Sequence, residues 1–333
     1  MENVTLFLVH FNDTIPADFK RPLSVRIIGS SFTFLVGLAS IIGNLAVIFV
    51  SYSDETLRNQ ASNFFIVFLS ITDVTTGIFT IIPSAVSVAF DYWPFGGILC
   101  RLQNGMGYTC SCNSILIIGL ITLDRTIAVL NPLKHHRIMN ASRVLSLCLS
   151  LAVFSVLSLI VAFCTDWTQY NYAEAQCGFD WRIYEVRIFA VPGTVLCFCI
   201  PAVLLGICNA LIISTAMKWN KKKQFLRHVN AEDPEKKAND DKMKKTIVTA
   251  FVLVGTFYLC VTPFVTSKNV HLLFGLDPHP LINYLFSVLV YVSSAVNPFI
   301  YAILRKDFTN AFKKIPRQLS EKFSGLNEIV EFQ

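Results

Sequence analysis

Seven stretches of this chain are apolar over about twenty residues or more, the length a helix needs to cross the ~30 Å hydrocarbon core of a bilayer. They fall at 26–52, 61–89, 97–130, 142–165, 187–217, 243–269 and 280–304. Lipid offers no water to backbone N–H and C=O groups, so each stretch must be a helix that satisfies its own backbone. Composition agrees. Of 333 residues, 53% are hydrophobic and 15% charged, where a soluble domain carries about 25% charged residues. The predicted fold class is an all-α membrane protein: a seven-transmembrane helix bundle plus a short amphipathic membrane-surface helix.

The net charge of +6 matters less than its placement. Basic residues cluster at 218–245 and 305–317, with Arg58, Lys134, Arg137 and Arg143 in other connections. These runs are short links between apolar spans, which argues against nucleic acid. The rule that positive loops stay in the cytoplasm accounts for them. It predicts a multi-pass protein of the plasma membrane, with the N-terminus extracellular and the C-terminus cytoplasmic. The domain organisation read from this is an extracellular glycosylated tail at 1–25, the bundle at 26–304, a surface helix at 305–315 and a cytoplasmic tail at 316–333. Asn3 and Asn12 open two glycosylation triplets in the outer tail. With no basic start and only a brief apolar run there, the first span is expected to insert as its own signal. In the surface helix Phe308 and Phe312 lie four apart on one face, with basic residues opposite.

Charges inside spans are costly and mark function. Asp73 is the one charge deep within a span, and Asp124-Arg125 lies near a boundary. That argues against a voltage sensor and a carboxylate-lined ion path. No internal repeat suggests a transporter built from inverted halves. No His, Cys or carboxylate cluster has catalytic or zinc spacing, so an enzyme is not expected, and no cofactor is called for. Most of the ten Cys, such as Cys148, Cys208 and Cys260, sit in apolar runs and read as small hydrophobes. Pro83, Pro201, Pro263 and Pro298 fall inside spans, where each removes a backbone hydrogen bond.

In order along the chain stand Gly43-Asn44, Leu69-Ser70-Ile71-Thr72-Asp73, Trp93-Pro94-Phe95-Gly96, Cys100, Asp124-Arg125-Thr126, Pro201, Phe257, Cys260, Pro263, Asn297-Pro298-Phe299-Ile300-Tyr301 and Phe308. With these motifs, residues 25–315 resemble the rhodopsin-like family of G-protein-coupled receptors. The resemblance implies a Cys100–Cys177 disulfide tying the second outer loop to span three. It implies a sodium site at Asp73, Ser114, Asn297 and Ser293, a chemistry that suits a hard cation. The alternative there is a protonated Asp73 bonded to Asn44 and Asn297. It assigns activation and coupling to a heterotrimeric G protein to Asp124, Arg125, Phe257, Pro263, Asn297, Pro298 and Tyr301. Sequence similarity of the Asp124 to Lys134 run and of Cys177 to Trp181 also points toward opsins and melatonin receptors.

The chain departs from the pattern at several places. Thr126, Val261 and Asn209 stand where the family usually has Tyr, Trp and Tyr, and span four has no Trp. Asp240 and Asp241 come early for the acid at the base of span six. The expectation is an altered spacing of resting and active states, with unusual basal activity.

By position, the ligand-lining residues are Gln103, Gly107, Tyr108, Ser111, Val261, Phe264, Lys268, Ser287 and Tyr291. Gly107 replaces the amine receptors' aspartate and Tyr291 the opsins' lysine. The expected extracellular ligand is a peptide or a small lipophilic molecule rather than a biogenic amine. Lys268 is read as pairing with a ligand carboxylate or snorkelling to the interface. The alternatives are a retinal-binding protein without a Schiff base, or a channel or transporter. The basic face of the surface helix is expected to meet anionic lipids on the cytoplasmic side.

Residues 219–245 contain no Ser or Thr, and the tail offers Thr309, Ser320 and Ser324. Clustered phosphates need clustered hydroxyls. Arrestin recruitment after stimulation is therefore expected to be weak and insensitive to receptor-kinase inhibition; strong kinase-dependent recruitment in a proximity assay would contradict it.

Overall fold

The computed structural model describes residues 8–9, 20–227, 234–276 and 279–314. Asn3, Asn12, Ser320 and Ser324 lie outside the described residues, as does all of 316–333. Among the described residues, seven helices are long and apolar enough to cross a membrane: Leu23–Ser53, Asn63–Phe90, Gly96–Leu130, Ala141–Cys164, Tyr184–Thr215, Phe251–Phe274 and Pro280–Leu304. They are spans one to seven. A further helix, 306–314, follows a break at Arg305.

Two helices run further than expected. That of span five continues to Arg227, and that of span six starts at Pro234. The link expected between spans five and six is thus helical at 218–227 and 234–242. At the first position of a helix proline lacks an N–H that has no intrahelical partner anyway, and its fixed φ suits the turn.

Prolines inside spans are handled in two ways. Pro83 and Pro201 each follow a π-helical turn, Gly77–Ile81 and Val195–Cys199 respectively. The widened turn accommodates the clash of a proline ring with the carbonyl four residues back. Pro263 and Pro298 sit inside continuous helices.

Span three is the hub. It packs against spans two, four, five and six, while span one lies against two and seven, and six against seven. Span four sits at the edge. Its buried residues are Val144, Cys148, Ser158 and Ala162, and Leu145, Leu149, Val153, Val156, Leu157 and Ile160 are exposed, as a lipid-facing side requires. The main core joins Leu69, Ile117, Ile121, Leu205, Phe257 and Tyr301 toward the Arg125 end.

At the other end the connection between spans four and five, expected as a loop, is a β-hairpin. Strands β2 (Thr168–Asn171) and β3 (Gln176–Phe179) pair antiparallel, and β1 (Leu8–Val9) adds to β2. Thus part of the polar tail is a strand. Arg21 pins this sheet to the bundle. Its guanidinium stacks 4.0 Å over the Tyr172 ring and pairs with Asp91 at 3.3 Å, and the Tyr172 hydroxyl donates to Asp91 at 2.7 Å.

The surface helix docks by its apolar face. Phe308 is fully buried, with its ring 5.7 Å from that of Tyr301 and 6.4 Å from that of Phe312. Lys314 pairs with Asp54 at 2.8 Å and holds its carboxyl below the usual range. That tether is complete at neutral pH and lost as acid protonates Asp54.

Gly43 shows why its position needs no side chain. A Cβ there would meet the Pro298 ring at 2.9 Å, so the absent methyl lets spans one and seven close. Gly43→Val should overpack this contact and cost about 1–3 kcal/mol, read as a lower melting midpoint of the purified protein in detergent. An unchanged midpoint would show that the two spans do not touch there.

Candidate functional site

A cavity of about 210 Å³ lies between spans two, three, five, six and seven beneath the hairpin. Gln103, Gly107, Tyr108, Ser111, Val261, Phe264, Lys268, Ser287 and Tyr291 all line it. The roof is held to span three by the Cys100–Cys177 disulfide, with the two Cα atoms 5.4 Å apart.

Several polar lining residues are already engaged. Gln103 accepts from the Cys177 N–H at 2.7 Å and donates to the Thr80 carbonyl and the Ser84 hydroxyl at 3.1 and 3.0 Å. The Tyr291 hydroxyl donates to the Gln176 side chain at 2.7 Å and lies 3.0 Å from Ser84 Oγ. Ser287 bonds back to the Asn283 carbonyl. Gln103 and Tyr291 therefore hold up the roof. By contrast Thr80 Oγ1 is buried without a partner on the cavity wall. Aromatic rings close one side: Tyr108 lies 5.4 Å from Phe179 and 6.0 Å from Phe189.

Lys268, read from sequence as pairing with a ligand acid or snorkelling, has a partner within the protein. It pairs with Glu174 in the turn of the hairpin and lies 5.3 Å from the Phe264 ring centroid. Glu174 is 4% exposed and also accepts from Asn171 and Gln176, at 2.7 and 3.2 Å. Sequence reasoning missed Glu174. Its signal was position: it lies three residues before Cys177, so the disulfide carries it over the cavity.

Below the cavity, Asp73 is buried. Asn297 donates to one of its oxygens at 2.8 Å, and the other, Oδ1, has no partner. Asn44 donates to the Ser40 and Ser294 carbonyls, leaving its own oxygen unpaired. An orphaned carboxylate oxygen and amide oxygen fit a hard cation. The hydroxyl beside Asp73 is that of Ser294. Ser293 instead donates to Val290 in its own helix at 2.6 Å, and Ser114 makes no hydrogen bond to Asp73 among the described residues.

At the far end of span three, Asp124 is buried between an arginine and a histidine. Arg125 Nε lies 3.5 Å from one oxygen, and His135 Nε2 lies 2.8 Å from the other. His135 stands on a short helix, Pro132–Ile138. Tyr301 is fully buried with an unpartnered hydroxyl. Phe257 and Val261 are buried in the core beside it, and Pro298 with Asn297 is buried on span seven. The side chains of Asp240 and Asp241 lie outside the described residues.

The profile of the family described as 7 transmembrane receptor (rhodopsin family) matches residues 43–301. The human histamine H2 receptor is 25% identical over 291 residues, 84% of this chain and 76% of its own. A Gq-coupled rhodopsin of Mizuhopecten yessoensis is 27% identical, over 87% of this chain and 59% of its own. 5-hydroxytryptamine receptor 2 of Aplysia californica is 24% identical, over 97% and 80%. The crystal structure of squid rhodopsin superposes with a TM-score of 0.76 at 22% identity, covering 90% of this chain and 88% of that one.

A pair this enclosed should show coupling. Glu174→Gln and Lys268→Met should each lower the melting midpoint, and the double variant should lose less than the sum, with an interaction energy of about 0.5–3 kcal/mol. Strict additivity would show that the pair contributes nothing.

Proposed function

Because the chain belongs to the rhodopsin family of seven-transmembrane receptors, we propose that it receives an extracellular ligand in the cavity under the hairpin and passes the signal to a heterotrimeric G protein at Arg125. The observation that carries this reading is that one helix, Gly96–Leu130, bears both ends of the device. Its first turns hold the disulfide and the roof, and its last turns hold the Asp124–Arg125 pair. In this reading the hairpin end faces outside, and the surface helix lies on the cytoplasmic leaflet with its basic residues on anionic lipid. Asp73, with Ser294 and Asn297 beside it, would hold a sodium ion that favours the resting state.

Activation moves Arg125 off Asp124 toward the G protein. His135 then matters, because it keeps the vacated carboxylate partnered. The small, roofed cavity supports a small molecule over a peptide. Much of its wall is apolar, and its charged lining residues among those described are Glu174 and Lys268.

A second reading of the ligand follows from Glu174. The histamine and 5-hydroxytryptamine receptors among the relatives are amine receptors by name. Here Gly107 offers no acid, so an ammonium would have to be held by Glu174 from the roof. A retinal ligand, as the rhodopsins' names suggest, would be held without a covalent bond, since Tyr291 has no amine.

A screen in transfected cells with cAMP and calcium readouts tests this. Small lipophilic molecules including retinal, peptides and amines are applied to the native chain and to Arg125→Ala. A response is expected in the native chain and is lost in the variant. A response of equal size in Arg125→Ala would overturn the role of Arg125. An amine response that survives Glu174→Gln would remove the second reading.

A further inference from the structure

A second cleft among the described residues has no part in the ligand cavity. It has a volume of about 690 Å³ and opens beside Arg125. Its walls come from the turn between spans one and two, the connection after span three, and the joint where span seven meets the surface helix. No described side chain of span five or six lines it, and it shares Arg125 with the proposed coupling end.

Its electrostatics are one-sided. Arg58, Arg125, Arg305 and Lys306 line it against one lining carboxylate, Asp307. His136 adds a ring that can donate. Arg58 and Lys306 are exposed and form no ion pair among the described residues. Arg305 is the costly one. Its side chain is 11% exposed, Asp307 is 3.8 Å away, and Gln60 accepts one bond at 3.4 Å. Its Nη1 is buried with no partner. A guanidinium carries five N–H donors, and leaving them buried and unpaired is expensive. Burial, then the nearby Arg125, pull the Arg305 guanidinium down to about 10. Clustered cations of this kind are relieved by an anion that several can share.

The chemistry narrows the anion. A carboxylate offers two oxygens and a single charge. A phosphomonoester offers three oxygens and close to two charges, and arginine forks engage such oxygens in pairs. Position narrows the source. The cleft is at the bundle end, where headgroups lie, and Phe64 on its wall is an exposed aromatic ring at the start of span two. Basic pockets between spans at the cytoplasmic surface suit phosphoinositide headgroups. We propose that this cleft holds the phosphate-bearing headgroup of an anionic membrane lipid of the phosphoinositide type, bridging Arg58, Arg305 and Lys306. The lipid's placement in the cell rests on the reading that this end faces the cytoplasm.

The test uses the full chain in nanodiscs of phosphatidylcholine alone, or with phosphatidylserine or phosphatidylinositol bisphosphate added. Retained lipid is counted by native mass spectrometry, and the melting midpoint is recorded. The bisphosphate lipid should be retained selectively and should raise the midpoint. Arg58→Gln with Lys306→Gln should lower its retention about thirty-fold, the fold-change for losing two cations at a membrane surface. Both residues are exposed, and Arg58→Lys with Lys306→Arg, which keep charge, should retain the lipid. Equal retention of phosphatidylserine, or bisphosphate retention unchanged by the Gln pair, would overturn the proposal. Stabilisation by soluble inositol trisphosphate with none by the lipid would also overturn it, in favour of a free phosphate. Nanodiscs expose both faces, so binding is read whatever the orientation. Antibody access to a C-terminal epitope in intact cells tests the orientation separately.

Discussion

The hydrocarbon core has no water, and most of what this chain does follows from that. Backbone groups must bond within their own helix, and polar side chains must find protein partners or carry the cost. Many hydroxyls in the spans solve this locally. Thr72, Thr122, Thr126 and Ser158 each donate to the carbonyl one turn back. Thr126, in the place where a tyrosine is usual, is therefore turned into its own helix rather than toward a partner. Among the buried side-chain atoms left without a hydrogen-bond partner, Asp73 Oδ1, Asn44 Oδ1 and the Tyr301 hydroxyl lie along the inner path between the cavity and Arg125.

Span three makes that path mechanical. At 35 residues it is about 50 Å long. One end is fixed by Cys100, by Gln103 gripping the Cys177 N–H, and by Asn104 donating to Thr168 at 2.8 Å. The other end is fixed by Asp124, which His135 and Arg125 share. The Glu174–Lys268 pair then ties the same roof to span six. A ligand that disturbed the roof would therefore bear on spans three and six together.

Much of this was legible in the residues. Apolar runs of sufficient length placed all seven spans, six of them within a few residues and span six within eight, because crossing a bilayer is a property of local composition. The nine cavity residues were found by position on helices, since helical spacing and the motifs fix which face looks inward. The misses have physical reasons. The hairpin at 168–179 lacks a strong alternation, and its second strand is tied to span three by a disulfide between residues far apart in the chain. Helical continuation to Arg227 and from Pro234 happens past the lipid, where hydropathy carries no signal.

Fold class, span order and the two charged sites are thus set by hydrophobic length and by the scarcity of charge, both readable one segment at a time. The partners of those charges are not. That Lys268 meets Glu174, that His135 meets Asp124, that Ser294 rather than Ser293 faces Asp73, and that Arg305 is buried beside Arg125 all depend on which faces the helices turn to one another. Such choices are made between residues far apart in the chain, by packing at the level of single methyl groups, as the contact of Gly43 with Pro298 illustrates. Only the assembled bundle could decide them.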